Sequence, residues 1–223
     1  MEKSLSATKF IDADHPSVID FVKQHTDSQQ TDKQKAIALY HIIRDKFFYD
    51  PYRIDFSEEG LKASHTLTLD YGWCVSKAIL LTACCRASGI PSKLGFADVR
   101  NHLSTDRMRA AMKTDVFYWH GYSVIYLEGK WIKATPAFNK ELCEKFSLKT
   151  LEFDGENDSI YHPFSKNGQR HMEYLNQRGE FNELPFQAMM ETFSQKYNFS
   201  LNVHSQHSFN NDINKEIKTG AGY

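Results

Sequence analysis

A cysteine at the predicted start of a helix is the residue of this sequence best placed to act as a nucleophile. Cys74 follows Gly72 and Trp73, and the apolar positions behind it recur with helical spacing until Gly89 and Pro91 end the pattern. A thiol at a helix start lies near unpaired backbone N–H groups and the positive end of the helix dipole, and both favour the thiolate. The same N–H groups could hold the oxyanion of an attacked carbonyl.

A cysteine nucleophile needs a base within hydrogen-bond reach, and usually a third group that orients the base. His120 lies in an aromatic and β-branched segment that we predict as a strand, and Glu128-Gly129 predicts a two-residue turn into a second strand. If the strands pair directly across that turn, Thr135 shares a face with His120 as its diagonal neighbour, ~7–8 Å away by backbone. The orienting group is therefore expected near position 135.

Three segments resemble the transglutaminase-like superfamily in content, order and spacing: 71–78, 119–122 and 126–131. The family pattern has G-x-C at a helix start, a histidine with a small and an aromatic residue after it at a strand start, and a G-x-W hairpin that leads to an aspartate. The stretch 96–102 is also similar to family members, so the resemblance covers roughly residues 36–139. It implies a papain-like fold with a Cys-His-Asp triad, in enzymes that act on amide bonds as hydrolases or acyl transferases.

The position of the family's aspartate holds Thr135 in this chain. A hydroxyl can accept a hydrogen bond from the histidine ring, but it cannot stabilise an imidazolium as a carboxylate does. Asn139 and Asp154 are alternative third members, since papain-type enzymes use an asparagine in this role. The resemblance thus gives a predicted catalytic set of Cys74, His120 and Thr135.

Other residues around the pair are candidates for substrate contact. A glycine beside the nucleophile permits close backbone approach, and an adjacent indole can form one wall of a cleft. The predicted substrate-binding residues are Gly72, Trp73, Trp119 and Tyr122. Tyr49 and Tyr52 are similar to aromatic residues that precede the nucleophile in the family, and one of them is a candidate hydrogen-bond donor to the oxyanion.

The order of predicted elements, helices first and then an antiparallel sheet, indicates an α+β fold with the nucleophile helix packed on the sheet. We expect a single transglutaminase-like domain over residues 1–223, with a core at about 30–140 and an extension over 141–223 packed on that core. Within the extension, helices are predicted at 140–146, 170–178 and 187–197, followed by a surface tail.

The composition argues against several classes of function. A formal net charge of −1 without a long basic stretch argues against nucleic-acid binding, and no apolar run reaches the ~18 residues that span a bilayer. The N-terminus has no signal-peptide pattern, so we expect a cytoplasmic protein whose four cysteines are reduced. No CxxC pair suggests zinc, and we expect neither a metal nor another cofactor. The oligomeric state stays open.

The leading hypothesis is therefore a thiol hydrolase, of the peptidase or deamidase type, that acts on peptide or protein amides. Hydrolysis is favoured over acyl transfer because no pattern in the sequence indicates a binding site for an amine. A catalytically inactive transglutaminase-like module for peptide binding or assembly is the alternative, motivated by Thr135. A redox-sensing thiol is a third possibility.

Overall fold

The computed structural model describes residues 1–101, 105–161, 168, 172–197 and 208–218. The helices are α1 (Pro16–His25), α2 (Asp32–Lys46), α3 (Ala63–Thr66), α4 (Cys74–Ala87), α5 (Asp106–Met112), α6 (Lys140–Lys145), α7 (Phe186–Lys196) and α8 (Phe209–Lys218). The strands are β1 (Phe48–Tyr49), β2 (Tyr71–Gly72), β3 (Ser92–Asn101), β4 (Val116–Leu127), β5 (Lys130–Ala134) and β6 (Met172–Phe181). Helices precede an antiparallel sheet with the order β5-β4-β3-β6, which confirms the predicted α+β fold.

Helix α4 lies at the centre of the core. Its residues are buried from Cys74 to Arg86, because it packs against β3 and β4 on one side and against α1, α2 and α3 on the others. A helix covered on all sides has apolar residues around most of its circumference, and the buried polar side chains of this one, such as Lys77 and Arg86, are hydrogen-bonded to backbone carbonyls. Gly89, at φ 78°, follows its end in the left-handed conformation that glycine adopts without strain, as predicted.

The hairpin of β4 and β5 has the predicted register. Leu127 pairs with Lys130 and Ser123 with Ala134, and both residues of the Glu128-Gly129 turn have positive φ. The ladder with β4 ends at Ala134. Beyond it, the Thr135 N–H donates to the Ser159 carbonyl at 3.0 Å.

The helix predicted at 170–178 is wrong, because residues Met172–Phe181 form strand β6 on the outer edge of β3. Side chains with high helix propensity fill this segment, but long-range pairing decides its conformation. Arg100 lies across from Glu173, with 3.6 Å between their charged atoms, and the Tyr122 hydroxyl donates to the Gln177 side chain at 3.1 Å.

The rest of the C-terminal part is more structured than expected. The helix predicted at 187–197 is confirmed as α7, and the one at 140–146 as α6. The predicted surface tail contains α8, in which Phe209 and Ile213 are buried. The Phe209 ring packs edge-on against Tyr49 and Tyr52, with centroid distances of 5.8 and 5.4 Å. These contacts explain why α8 lies on the core.

One buried lysine joins α4 to two neighbouring segments. The Lys77 ammonium group donates to the carbonyls of Arg44 at 2.8 Å, Phe47 at 2.6 Å and Ala137 at 2.8 Å. Burial lowers the pKa of Lys77 to about 7. The lysine therefore links the end of α2, the first turn of α4 and the loop that follows β5.

No helix in the described part of the chain has both the length and the apolar character needed to cross a membrane.

Candidate active site

Cys74 is the first residue of α4, and its sulfur faces backbone N–H groups. Trp73, in extended conformation, precedes the helix, and its N–H donates to the Ser76 hydroxyl at 3.1 Å. Burial raises the pKa of the Cys74 thiol to about 11, and hydrogen bonds from the N–H groups of Gly121, Val75 and Cys74 itself offset only part of that rise. The helix start thus favours the thiolate as expected, but desolvation outweighs it and the thiol is protonated at neutral pH.

Gly121 allows β4 to approach the start of α4. A Cβ on this residue would lie 3.0 Å from Val75 Cα, a backbone atom that cannot move aside easily. The small residue after His120 is therefore what lets the Gly121 N–H reach the sulfur. At Gly72, an added Cβ would lie 2.9 Å from both Lys77 Cγ and Ser76 Oγ, so this glycine accommodates the first turn of α4.

A β-bulge sets the position of His120. Ala97 pairs with His120 and Val99 with Phe117, so Tyr118 and Trp119 together oppose the single residue Asp98. Trp119 has φ 60°, a left-handed conformation that is uncommon for an aromatic residue. Bulges re-aim the side chains that follow them, and this one directly precedes the candidate base.

Asp98 holds the bulge in place. The carboxylate of this buried residue accepts the Trp119 N–H at 3.2 Å and the Arg178 Nε–H. Asn176 donates to its other oxygen at 3.4 Å, and the Arg178 guanidinium lies 4.4 Å from the centre of the Trp119 indole. This support was not predicted from the sequence, because the two side chains that bind Asp98, those of Asn176 and Arg178, lie on β6, where a helix was predicted.

The structure separates the three candidates for the third member. Thr135 is buried, and its hydroxyl has no hydrogen-bond partner among the described residues, whereas its carbonyl accepts the Tyr40 hydroxyl at 3.1 Å. The Asn139 side-chain carbonyl accepts the Tyr49 N–H at 3.2 Å. Asp154 is exposed, and its carboxylate binds N–H groups of its own turn, which lowers its pKa to about 2. Of the three, Thr135 is the one whose buried side-chain oxygen has no hydrogen-bond partner within the described ranges.

Cys74 and His120 open onto one pocket with about 540 Å³ of empty space, part of it continuous with solvent. Trp73 and Tyr49 line it beside them. The other lining residues are Pro51, Ile54, Phe56, Met108, Met112, Phe117, Tyr118, Phe193 and Tyr197. The structure thus brings together four of the residues that the sequence singled out: Cys74, His120, Trp73 and Tyr49.

The other predicted contact residues lie elsewhere among the described residues. The Trp119 indole packs against Phe96 and Phe181, with ring centroids 5.4 and 6.2 Å away. The Tyr122 ring covers Gly95, where an added Cβ would lie 2.2 Å from it. Neither is part of the pocket lining, and a role for them in substrate binding stays a prediction.

Tyr49 is a polar residue of the pocket lining that the sequence indicated only weakly. Burial raises its pKa well above the usual range, and the nearby Cys74 sulfur adds to that shift. Its hydroxyl therefore stays protonated and can act as a donor near Cys74. Tyr52, the other candidate, bonds instead with the Thr105 hydroxyl.

No group of His, Cys, Asp or Glu residues that could hold a metal ion occurs within the described ranges.

Comparison with solved structures finds a similar fold in a protein described as a "putative cysteine protease" from Cytophaga hutchinsonii. The TM-score is 0.53 at 16% identity, over 83% of this chain and 48% of that one, so the chain spans about half of that protein's length. A protein described as a "putative protease" from Parabacteroides distasonis gives a TM-score of 0.38 at 18% identity, over 57% of this chain and 26% of that one.

Comparison with curated proteins finds no match. The model of the transglutaminase-like superfamily matches residues 19–136, which is more than half of the chain and includes Cys74, the His120 bulge and the hairpin that ends at Thr135. The chain therefore belongs to the transglutaminase-like superfamily, whose enzymes are of the cysteine type.

Proposed function

We propose that this protein is a thiol hydrolase that cleaves amide bonds of peptides or proteins, with Cys74 as nucleophile and His120 as base. One observation carries the proposal: Cys74 and His120 line the same pocket, and the N–H of Gly121, the residue after His120, reaches the Cys74 sulfur at the start of α4. A small pocket with a buried thiol, an imidazole and converging N–H groups suits acyl transfer to sulfur.

The reaction starts from a neutral thiol, since burial raises the pKa of Cys74 to about 11. His120 removes the thiol proton as the sulfur attacks the carbonyl carbon, so that the thiolate forms only as the C–S bond does. His120 then gives this proton to the nitrogen of the departing amine, the C–N bond breaks, and a thioester remains on Cys74. Water attacks the thioester, with His120 accepting a water proton and returning it to the sulfur, and the free acid leaves.

Backbone and phenol donors stabilise the oxyanion of both steps. The N–H groups at the start of α4 and that of Gly121 surround the sulfur, so they lie near any carbonyl that it attacks. The Tyr49 hydroxyl, protonated and almost buried, is a further donor in the pocket.

Thr135 is the proposed orienting residue for His120. Its buried hydroxyl is without a hydrogen-bond partner in the described part of the chain, which is unusual for a polar atom in a core. A hydroxyl orients an imidazole but stabilises the imidazolium less than a carboxylate does, so we expect a slower enzyme than a Cys-His-Asp member.

A catalytically inactive peptide-binding module is the second candidate. The raised pKa of Cys74 and its exposed fraction of 7% favour it, together with the threonine at the family's aspartate position. The pocket and its apolar walls would then bind peptide without cleaving it.

The test is cleavage of a complex peptide library, with new termini identified by mass spectrometry. The wild-type protein is expected to generate cleavage products that Cys74→Ala and His120→Ala do not, whereas Cys143→Ala, which removes a buried cysteine away from the pocket, keeps them. Equal products from wild type and Cys74→Ala would reject the proposal. Binding of peptides without any cleavage would favour the second candidate.

The acceptor is tested by adding an amine. Glycine methyl ester at millimolar concentration is a weak competitor of water for the thioester, so a hydrolase without an amine-binding site is expected to give free acids as the main products. Amine adducts that dominate at millimolar amine would instead assign an acyl transferase.

A further inference from the structure

The pocket beside Cys74 and His120 is apolar nearly throughout. Apart from these two residues, its lining contains aromatic rings, aliphatic side chains and two methionines, and none of its described lining residues is a lysine, arginine, aspartate or glutamate. Such a surface stabilises an apolar group by removing it from water and disfavours a charged one, which would lose its hydration without gaining a partner.

One wall of this pocket comes from outside the segment that matches the family. Phe193 of α7 packs edge-on against Phe56 and tilted against Trp73, with ring centroids 5.7 and 6.3 Å away. Tyr197 follows, and its hydroxyl accepts the Tyr118 N–H at 2.7 Å. Both rings are thus fixed by contacts to the core before any ligand binds.

A second wall comes from α5. Met108 and Met112 line the pocket from this helix, and both are buried, at 5% and 6% exposure. The Met108 N–H donates to the Thr105 hydroxyl at 3.2 Å, which fixes the start of the helix. Methionine side chains adapt to ligands of different shape, so this wall complements the rigid aromatic one.

We infer that this pocket is a specificity site for a large, uncharged apolar or aromatic side chain on the residue whose carbonyl Cys74 attacks. The inference rests on the proposed function for the position of the scissile bond. Because Cys74 and His120 belong to the same lining, the side chain next to the attacked carbonyl lies beside the pocket and is the one placed to enter it. Phenylalanine and leucine fit this description, whereas lysine and aspartate do not.

The first experiment measures alkylation of Cys74 by three reagents, read by mass spectrometry and normalised to their rates with glutathione. N-benzyl iodoacetamide, which carries an uncharged ring, is expected to label Cys74 on the order of 30-fold faster than iodoacetate and clearly faster than iodoacetamide. Met112→Glu should abolish that preference, and the matched variant Met112→Leu should keep it.

The outcomes separate the two proposals. Rapid labelling by iodoacetamide that depends on His120, without any advantage for the benzyl reagent, overturns the specificity site and leaves the proposed function intact. Preference for the benzyl reagent without dependence on His120 supports the site and contradicts His120 as base.

A binding measurement keeps the inference testable if Cys74 reacts with none of the reagents. The Cys74→Ala protein is titrated with N-acetyl-phenylalanine methylamide and with N-acetyl-lysine methylamide, followed by NMR. The phenylalanine ligand is expected to bind at least tenfold more tightly and to shift the Trp73 indole resonance. Equal affinity for the two ligands overturns the inference, whatever the result of the cleavage assay.

Discussion

The two parts of this chain contribute differently to the candidate site. The family-matched segment 19–136 holds the groups that would react, Cys74 and His120, which line one pocket. The described part after residue 172 contributes Arg178, which supports the bulge before His120, and Phe193, which forms a pocket wall. The first part provides the chemistry, and the second provides the shape of the pocket and support for the base.

This difference explains why the reacting residues could be predicted from the sequence and the residues of the pocket wall could not. A nucleophile needs particular neighbours, such as a helix start and a glycine where the strand approaches, and these recur as short motifs. An apolar wall needs only volume and burial, so many residues satisfy it and no motif marks it. Predictions that affect the two parts separately test this division.

The largest effect is expected for the reacting pair. His120→Ala should lower kcat/KM for amide cleavage by about 10³-fold or more, because the proton of a buried thiol then has no acceptor. The enzyme assay is combined with thermal unfolding, which should change little. Activity within tenfold of wild type would show that another group acts as the base.

A smaller effect is expected at Arg178, in the C-terminal part. Arg178→Ala removes a charged partner of the buried Asp98 carboxylate and loosens the Trp119 bulge, so kcat should fall on the order of tenfold with KM nearly constant. The pH profile of kcat should shift as well, since the imidazole changes position. Arg178→Lys, which keeps the charge, should restore part of the rate. An unchanged kcat with lower stability would make Arg178 a structural residue only.

Removal of a pocket wall should change binding rather than the chemical step. Phe193→Ala is expected to raise KM for substrates with a phenylalanine at the cleaved bond by about tenfold, with kcat close to that of wild type. Leu175→Ala, at an exposed position of β6 in the same part of the chain, serves as control and should leave both constants unchanged. A loss of kcat in Phe193→Ala would assign the C-terminal part a share in the chemistry.

The smallest effect on activity is expected at Lys77. A substitution there should instead change how the free energy of unfolding depends on pH. The pKa of Lys77 is about 7 in the folded protein, below its usual value of 10.5, so the unfolded chain binds the proton more tightly between these values. The free energy of unfolding of wild type, minus that of Lys77→Met, should therefore rise with pH from about 7 to about 10.5, by up to ~1.4 kcal/mol per pH unit. Urea unfolding at pH 6, 7.5 and 9 measures this difference. A constant difference would mean that the three carbonyls keep the lysine charged.

By itself, the sequence determined the features that depend on neighbours along the chain. These are the helix that begins at Cys74 and ends before Gly89, the hairpin through Glu128-Gly129 and the α+β order of elements. Each depends on local backbone preferences and on hydrophobic period, which a single sequence displays directly. The motif around Cys74 and His120 belongs to the same class.

Only the tertiary structure decided what depends on contacts between distant segments. In the region predicted as a helix over 170–178, residues from Met172 onward form strand β6 instead, because they pair with the edge of β3. The tertiary structure placed Phe193 and the α5 methionines around the pocket, and it buried Cys74 deeply enough to raise its pKa to about 11 against the effect of the helix start. Pairing, burial and desolvation are set by residues that lie far apart in the chain, so no local pattern contains them.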